Sequence, residues 1–264
     1  MSSPLSPASP APSPDRRPAP ASARSRIGAQ ASFEAQTLLR NGEQLLVSLI
    51  LPALALVALA FTHSPALGDG RRIDIAVPGV LALAILSTAF TGQAISTGFD
   101  RRYGVLRLLG VTPLGRSGLL AGKAGAVLFV EVIQLGVLGV LGLALGWQPR
   151  LIGFPAAIVF WLLGTWVFVA LALLLAGALR AEAVLALANL IWVLLLGLGG
   201  IVLPRTVLAE PIAAVVGALP SAALGDGLRA AFLTGTFDAW SALVLFGWGL
   251  AATALCLRTF RWSD

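Results

Sequence analysis

D-R-R-Y-G-V-L-R-L-L-G-V-T-P-L-G-R-S-G-L-L-A-G-K, residues Asp100–Lys123, is the most charged segment inside an otherwise apolar chain. It holds five basic side chains against one acid, and long apolar runs flank it on both sides. A basic loop between two membrane spans stays on the cytoplasmic side. Thr112-Pro113 is also a good helix start, because threonine caps a helix and proline fits its first turn. We therefore interpret this segment as a docking surface for a cytoplasmic partner.

The composition around this loop is that of an integral membrane protein. Of 264 residues, 58% are hydrophobic and 11% are charged, whereas soluble domains carry about 25% charged residues. The formal net charge of +6 is explained by basic residues beside the spans. Since no basic stripe interleaves with aromatic residues, nucleic acid is not expected as a partner. The single cysteine, Cys256, and the single histidine, His63, exclude an intrachain disulfide and a cysteine-based metal site.

The apolar runs predict an all-α membrane protein with six transmembrane helices. The expected spans are about residues 45–61, 75–96, 121–146, 151–179, 183–203 and 239–257. Between the last two spans, proline and glycine interrupt residues Arg205–Asp238, and neither half is long enough to cross a membrane. We predict two short helices or a re-entrant hairpin there, roughly Pro211–Ala218 and Ala222–Leu233. Such a broken segment is tolerated at the interface or where protein covers it.

Two different segments precede the first span. Residues 1–28 are rich in Pro, Ala, Ser and Arg, and they predict a disordered cytoplasmic tail. Residues Ala31–Gln44 then follow a weak amphipathic pattern, with Ala31, Ala35 and Leu38 on one face. This pattern favours an interface helix at the membrane surface, and the alternative is a plain polar lead-in to the first span. Basic residues concentrate in the tail, the loop and the C-terminal end, which predicts that both termini are cytoplasmic.

The motifs for catalysis are missing from the sequence. Gly118–Ala124 resembles a phosphate-binding loop, but it has three residues between its glycines instead of four. Ala124 also replaces the Ser or Thr that would hold Mg²⁺. His63 stands alone in a short loop without a glycine-rich nucleophile turn, which disfavours a hydrolytic triad. We therefore expect no catalytic residue, no bound metal and no cofactor in this chain.

Four polar residues are predicted at membrane depth: Glu131, Gln134, Thr165 and Asn189. Glu131 and Gln134 are three residues apart, so they share one helix face. A carboxyl group at this depth is costly, and such groups usually face the bundle interior or a wet cavity. One interpretation is that these residues line a substrate path. The other is that they make interhelical hydrogen bonds that fix the packing.

The loop has the spacing of a known family. It resembles the first cytoplasmic loop of ABC-2-type exporter permeases, whose pattern is E-R-x-x-G-T-L-E-x-L-x-x-T-P-L-x-R, followed at a distance by G-K. The matching residues here are Asp100, Arg101, Gly104, Leu106, Leu109, Thr112, Pro113, Leu114 and Arg116, then Gly122 and Lys123. The chain departs from the pattern at Val105 and Arg107, where the family has Thr and Glu. The resemblance extends over about Ser32–Arg261.

The resemblance implies the membrane-spanning permease subunit of an ATP-binding-cassette exporter, with an ABC-2-type transmembrane domain at residues 29–264. In that family the first cytoplasmic loop, here residues 98–116, carries a coupling helix that docks onto a separate ATPase subunit. ATP and Mg²⁺ bind that partner, so this chain is expected not to be an enzyme. The residues implied in coupling are Asp100, Arg101, Gly104, Leu106, Arg107, Leu109, Thr112, Pro113 and Arg116.

The resemblance also implies an assembly and a place in the cell. Two permeases and two ATPases make the transporter, and the second permease is either an identical chain or a different one. The broken segment before the last span closes the path on the outer side. Arginine far outnumbers lysine, and alanine and glycine are abundant, which suggests a bacterial protein in the cytoplasmic (inner) membrane. The alternative function is an ATPase-independent membrane scaffold or accessory subunit.

Overall fold

The computed structural model describes residues 21–42, 46–110, 112 and 114–259, and it gives only the backbone of residues 47, 109, 110, 115–117, 119 and 120. Helices are the only regular secondary structure in these ranges. The helices are α1 (Ala23–Arg40), α2 (Leu51–Phe61), α3 (Arg72–Arg102), α4 (Val105–Gly110), α5 (Gly115–Ala144), α6 (Phe154–Ala178), α7 (Ala181–Leu198), α8 (Glu210–Gly217), α9 (Pro220–Arg229) and α10 (Ala239–Thr259). The prediction of an all-α membrane protein is confirmed at this level.

Five helices in the described ranges are long and apolar enough to cross a membrane. They are α3, the main part of α5 (Ala121–Ala144), α6 with its preceding turn (Leu151–Ala178), α7 and α10. Helices α8 and α9 are bent by 95° at their junction, and together they count as at most one more span. The segment Ser48–Phe61, which contains α2, is a shorter apolar helix. The predicted six spans with both termini cytoplasmic therefore stay a prediction.

Two of the helices have ends that differ from the predicted span boundaries, and the spans themselves stay a prediction. The span expected at 183–203 ends as a helix at Leu198, because Gly199 and Gly200 follow and Gly200 has φ +70°, which favours glycine. The span expected at 75–96 instead continues as α3 to Arg102, with one π-helical turn at Ser87–Gly92. The first residues of the basic loop are therefore part of this long helix.

Helix α1 begins earlier than the sequence pattern predicted. The side chain of Ser22 accepts a hydrogen bond from the Ser25 backbone amide, which caps the helix so that it starts at Ala23. The predicted end of the disordered tail at residue 28 thus falls inside a helix, and residues 1–20 lie outside the described part. Along α1, Ala35 and Leu38 pack with Ala126 and Val130 of α5. Its apolar face is therefore covered by α5, while its position at the membrane surface stays a prediction.

Helix α3 is the centre of the bundle. Its most apolar stretch is almost completely buried, and it contacts α2, α5, α6, α7 and α9. Helices α7 and α10 are mostly exposed by comparison. A helix that is apolar on all sides is stable when other helices surround it or when lipid does. The sequence of α3 fits the first environment, and those of α7 and α10 fit the second.

The basic loop contacts the termini of several helices at one end of the bundle. The loop between α3 and α5 contacts the end of α6 and the beginning of α7 through Arg101 and Arg102. We call this end of the bundle the loop end. The broken pair α8 and α9 lies at the opposite end, where the Arg150 backbone amide donates to the Phe232 carbonyl at 2.9 Å. The loop and the broken segment are thus separated by the length of the spans.

Candidate functional site

The candidate site is the loop that leaves α3 and returns through α5. Helix α3 ends at Arg102, Tyr103 and Gly104 turn the chain, and α4 follows. Gly104 has φ +73°, a conformation in which glycine is strongly favoured because it has no Cβ. A Cβ at this position would meet no atom within 4 Å. The backbone conformation, and not a lack of space, is therefore what favours glycine here.

Arg101 faces the interior of the bundle. Its guanidinium group donates hydrogen bonds to the Ala176 carbonyl at 2.7 Å and to the Leu179 carbonyl at 2.5 Å. These carbonyls lie at the end of α6, where the last turn of a helix lacks partners of its own. A cation is also favoured at this end by the helix dipole. Arg101 therefore fastens the beginning of the loop to α6.

Lys123 of α5 fastens the loop to two further helices. Its side chain is only 2% exposed, and its ammonium group lies 2.7 Å from Asp100 and 3.1 Å from Glu34 of α1. The Gln30 side chain donates to the same Glu34 carboxyl at 2.9 Å. Because a buried ammonium must be paired, α1, the end of α3 and the beginning of α5 are held together at this point.

The opposite face of the loop is exposed. Leu106 of α4 is buried at 1% exposure, whereas Tyr103 and Leu108 are 70% and 67% exposed. Arg107 and Thr112 are also exposed. Arg102 forms an ion pair with Glu182 of α7, and its guanidinium lies over the Tyr103 ring. We call the exposed set the docking face; it consists of Arg102, Tyr103, Arg107, Leu108 and Thr112.

The loop residues predicted from the sequence therefore divide into two groups. Asp100, Arg101 and Leu106 contact the protein's own helices, and Arg107 and Thr112 lie on the docking face. Pro113 lies outside the described residues, as do the side chains of Leu109 and Arg116.

Sequence reasoning missed the pairing of Glu34 with Lys123 and the exposure of Leu108. Glu34 lies three residues after Ala31 and four before Leu38, so helix spacing places it at the edge of the apolar face of α1; this spacing was the signal that could have shown its burial. Lys123 could also have been suspected, because it is a charge at the start of an apolar run.

Three of the four polar residues at membrane depth make interhelical hydrogen bonds. The Gln134 side chain accepts from Thr88 at 2.7 Å and donates to Ser48 at 2.8 Å. The Glu131 carboxyl accepts from Trp161 and Thr165, each at 2.7 Å. These bonds join α5 to α3, to the segment before α2 and to α6. For Gln134 and Thr165 they support the packing interpretation.

Asn189 differs from the other three polar residues. It lies in the middle of α7 on an exposed face, and its side-chain amide makes no hydrogen bond with any residue that the structure describes. An amide at membrane depth lacks hydrogen-bonding partners in lipid. A Cβ added at Gly197, two turns along the same face, would meet nothing within 4 Å. The Asn189 face of α7 is therefore open to a partner.

A second cluster of charges lies at the end opposite the loop. Arg229 of α9 is buried, and it donates to the carbonyls of Ile201 at 2.5 Å and Val202 at 2.9 Å. Asp226 lies 3.3 Å from Arg229 and 2.7 Å from Arg205. Carbonyls left free after the end of α7 are thereby satisfied. The broken segment is fastened to the end of α7 in this way.

Comparisons with known proteins agree with the resemblance of the loop. The sequence profile of the family described as ABC-2 type transporter matches residues 27–233. No curated protein matches the chain. The match covers all helices from α2 to α9 and most of α1, and it indicates a transporter permease, a membrane component rather than an enzyme. The chain therefore belongs to the ABC-2 type transporter family.

Proposed function

We propose that this chain is the membrane-spanning subunit of an ATP-binding-cassette exporter and that it couples to a separate ATPase subunit through residues 98–116. The observation that carries the proposal is the division of the loop into a buried side and an exposed side. Tyr103 and Leu108 are large apolar residues that point outward from a polar turn, and basic side chains flank them. Exposed apolar residues within a polar rim are typical of protein interfaces.

The buried side of the loop supports a mechanical role. Arg101 is bonded to the end of α6, and Asp100 is paired with Lys123 of α5, which also holds α1. A displacement of α4 by the ATPase would thus be transmitted to three helices through charged groups that have little freedom to move. Packed elements of this kind pass on small shifts because they are not continuously deformable.

Sidedness and location follow from the charge distribution. Basic residues concentrate at the loop end and in the segments assigned to it, so this end is proposed to be cytoplasmic. ATP and Mg²⁺ would then bind the partner ATPase. The broken segment of α8 and α9 would lie on the outer side and close the path there. A bacterial inner membrane is the proposed location.

The second permease is proposed to contact the Asn189 face of α7. Asn189 carries both a donor and an acceptor, so two copies can bond to each other across a two-fold axis. Ala186 and Gly197 on the same exposed face permit close helix approach. These features favour a second copy of this chain over a different permease.

Co-purification tests the proposal. The tagged chain is expressed in its native cells and extracted from their membranes in mild detergent, and a co-purified ABC ATPase is identified by mass spectrometry. We expect the ATPase in equal amount with the permease. If the ATPase is absent although the permease elutes as a folded species, the chain acts without it, and the scaffold or accessory alternative is favoured.

A further inference from the structure

A cleft between α5 and α6 carries an inference beyond transport itself. The two helices make few direct contacts, since α5 packs mainly on α1 and α3, and α6 packs mainly on α10 and α3. Two cavities occupy the space between them. The one nearer the outer end has a volume of about 330 Å³, and the one nearer the loop end has a volume of about 320 Å³. Ligand sites in proteins begin at about this size.

Glu131 stands at the division between the two cavities. Along α5, Leu128 lines the inner cavity and Leu135 lines the outer one, and Glu131 lies between them on the same helix face. Its hydrogen-bond donors divide in the same way. Trp161 lines the outer cavity and Thr165 lines the inner one. Among the described residues that line or separate these two apolar spaces, Glu131 is the one with a carboxyl group.

Only one oxygen of this carboxyl group is satisfied. Trp161 and Thr165 both donate to Oε2. Oε1 has no hydrogen-bond partner among the described residues, although Glu131 is 0% exposed. A buried polar atom without a partner is costly, and such atoms are rare in native proteins. The packing role that Glu131 has through Oε2 leaves Oε1 unexplained.

Aromatic rings surround the outer cavity. Trp147, Phe154, Trp161 and Phe232 all line it. Phe232 packs edge-on against Trp147 at 5.1 Å and against Phe154 at 5.4 Å between ring centroids. Clustered aromatic faces attract organic cations, and Trp does so most strongly. Carboxyl groups inside membranes often serve as counter-ions.

The outer cavity can be reached from the side of the bundle. Val132, Phe154 and Ile158 line it and are exposed on the surface that lipid would cover. The Trp161 indole lies between the cavity and the carboxyl group of Glu131, because it lines the one and bonds to the other. A ligand that enters from the lipid side therefore meets the aromatic rings first.

We propose that the outer cavity of the α5–α6 cleft binds a lipophilic organic cation. The apolar body of the cation occupies the aromatic cavity, and the Glu131 carboxyl group, in its ionised form, supplies the opposite charge behind Trp161. The site lies within one chain, so it requires neither the ATPase nor a second permease. If the ATPase fails to co-purify, binding of the cation at this site is still expected. If the site binds no cation, the proposed coupling to the ATPase still stands.

Direct binding of radiolabelled tetraphenylphosphonium to the purified full chain in detergent tests the proposal. We expect saturable binding, about tenfold weaker for Glu131→Gln, because the charge is lost while the shape is kept; tenfold corresponds to about 1.4 kcal/mol. Leu135→Trp should fill the outer cavity and abolish binding. Leu128→Trp in the inner cavity is the matched control and should keep binding.

The proposal can still be tested if Glu131→Gln folds poorly, because Leu135→Trp and Phe154→Ala change the cavity wall without changing Glu131. Phe154→Ala should weaken binding several-fold through the loss of one ring. Uncharged triphenylmethane should compete poorly with the labelled cation. The proposal is overturned if the wild-type chain shows only non-saturable partition. It is equally overturned if Leu135→Trp binds normally or if triphenylmethane competes as well as the unlabelled cation.

Discussion

Lys123 is a buried cation held by two carboxylates from different helices, Glu34 and Asp100. Removing the cation would leave two acids close together without compensation. We predict that Lys123→Met lowers the free energy of unfolding by about 3–5 kcal/mol, as for other broken buried ion pairs. Denaturant titration of the purified chain measures this loss. Arg107→Met, at an exposed position, is the matched control and should change stability by about 0.5 kcal/mol or less.

A second comparison separates loss of the ion pair from loss of the side chain. The triple variant Lys123→Met, Glu34→Gln, Asp100→Asn removes all three charges, so it should recover much of the stability that Lys123→Met loses. If Lys123→Met unfolds at the same denaturant concentration as the wild-type chain, Lys123 does not hold the loop end together.

Gly79 of α3 allows the end of α7 to approach closely. A Cβ at this position would lie 2.7 Å from the Ile201 carbonyl oxygen and 2.8 Å from the Arg229 guanidinium. Gly79→Ala should therefore destabilise the chain by about 1–3 kcal/mol through overpacking. Gly136→Ala in α5, where a Cβ would meet nothing within 4 Å, should be neutral or slightly stabilising. Equal midpoints for the two variants in the same titration would contradict this account of Gly79.

Helix α7 has an exposed face that carries a polar residue, Asn189, and no other described part of the chain covers it. In a Cys256→Ala background the chain has no other cysteine, so single cysteines report on one position each. We predict oxidative cross-linking to a dimer for Asn189→Cys and Val193→Cys in native membranes. Ala188→Cys, on the buried face of the same helix, should not cross-link.

A control on another lipid-facing helix guards against random collision. Leu250 of α10 is exposed and apolar, and Leu250→Cys should cross-link far less than Asn189→Cys. The dimer band should contain two differently tagged copies when both are co-expressed. Equal cross-linking at Asn189 and Leu250 would rule out the Asn189 face as the contact between permeases.

The sequence pattern predicts elements well where apolar runs and proline or glycine mark them. The two short helices of the broken segment, expected at Pro211–Ala218 and Ala222–Leu233, are present as α8 and α9 with a 95° bend. Elements that depend on contacts far along the chain are harder to predict. The backbone just beyond α7 is one example: Gly199 and Gly200 mark the end of the helix locally, but the pattern does not show that Arg229 of another helix binds the carbonyls of Ile201 and Val202.

The same distinction holds within the candidate site. The spacing around Thr112 and Arg101 identifies the loop, because the family pattern is local in sequence. Which side chains face outward depends on the turn at Gly104, which separates α3 from α4. Phe99, Tyr103 and Leu106 have the i, i+4, i+7 spacing of one helix face, but the turn at Gly104 divides them between two helices. Tyr103 is exposed and Leu106 is buried.

On the scale of the whole molecule, the chain is a helix bundle with a cluster of charged residues at each end, and each cluster joins neighbouring helices. The cluster around Lys123 and Arg101 joins the loop to α1, α5 and α6, and the cluster around Arg229 joins α9 to the end of α7. Helix α3 runs between the two ends through the centre. Movement imposed on the loop would thus reach the outer segment through α3, which is the proposed route of coupling.

The central claim is that the docking face binds the ATPase, and the most direct measurement is the amount of ATPase that co-purifies with docking-face variants. The double variant Tyr103→Asp, Leu108→Asp should retain less than about a tenth of the wild-type ATPase, because two apolar anchors of an interface are lost. Leu151→Asp, equally exposed but at the opposite end, should retain all of it. A folded double variant that carries the ATPase in wild-type amount would contradict the claim.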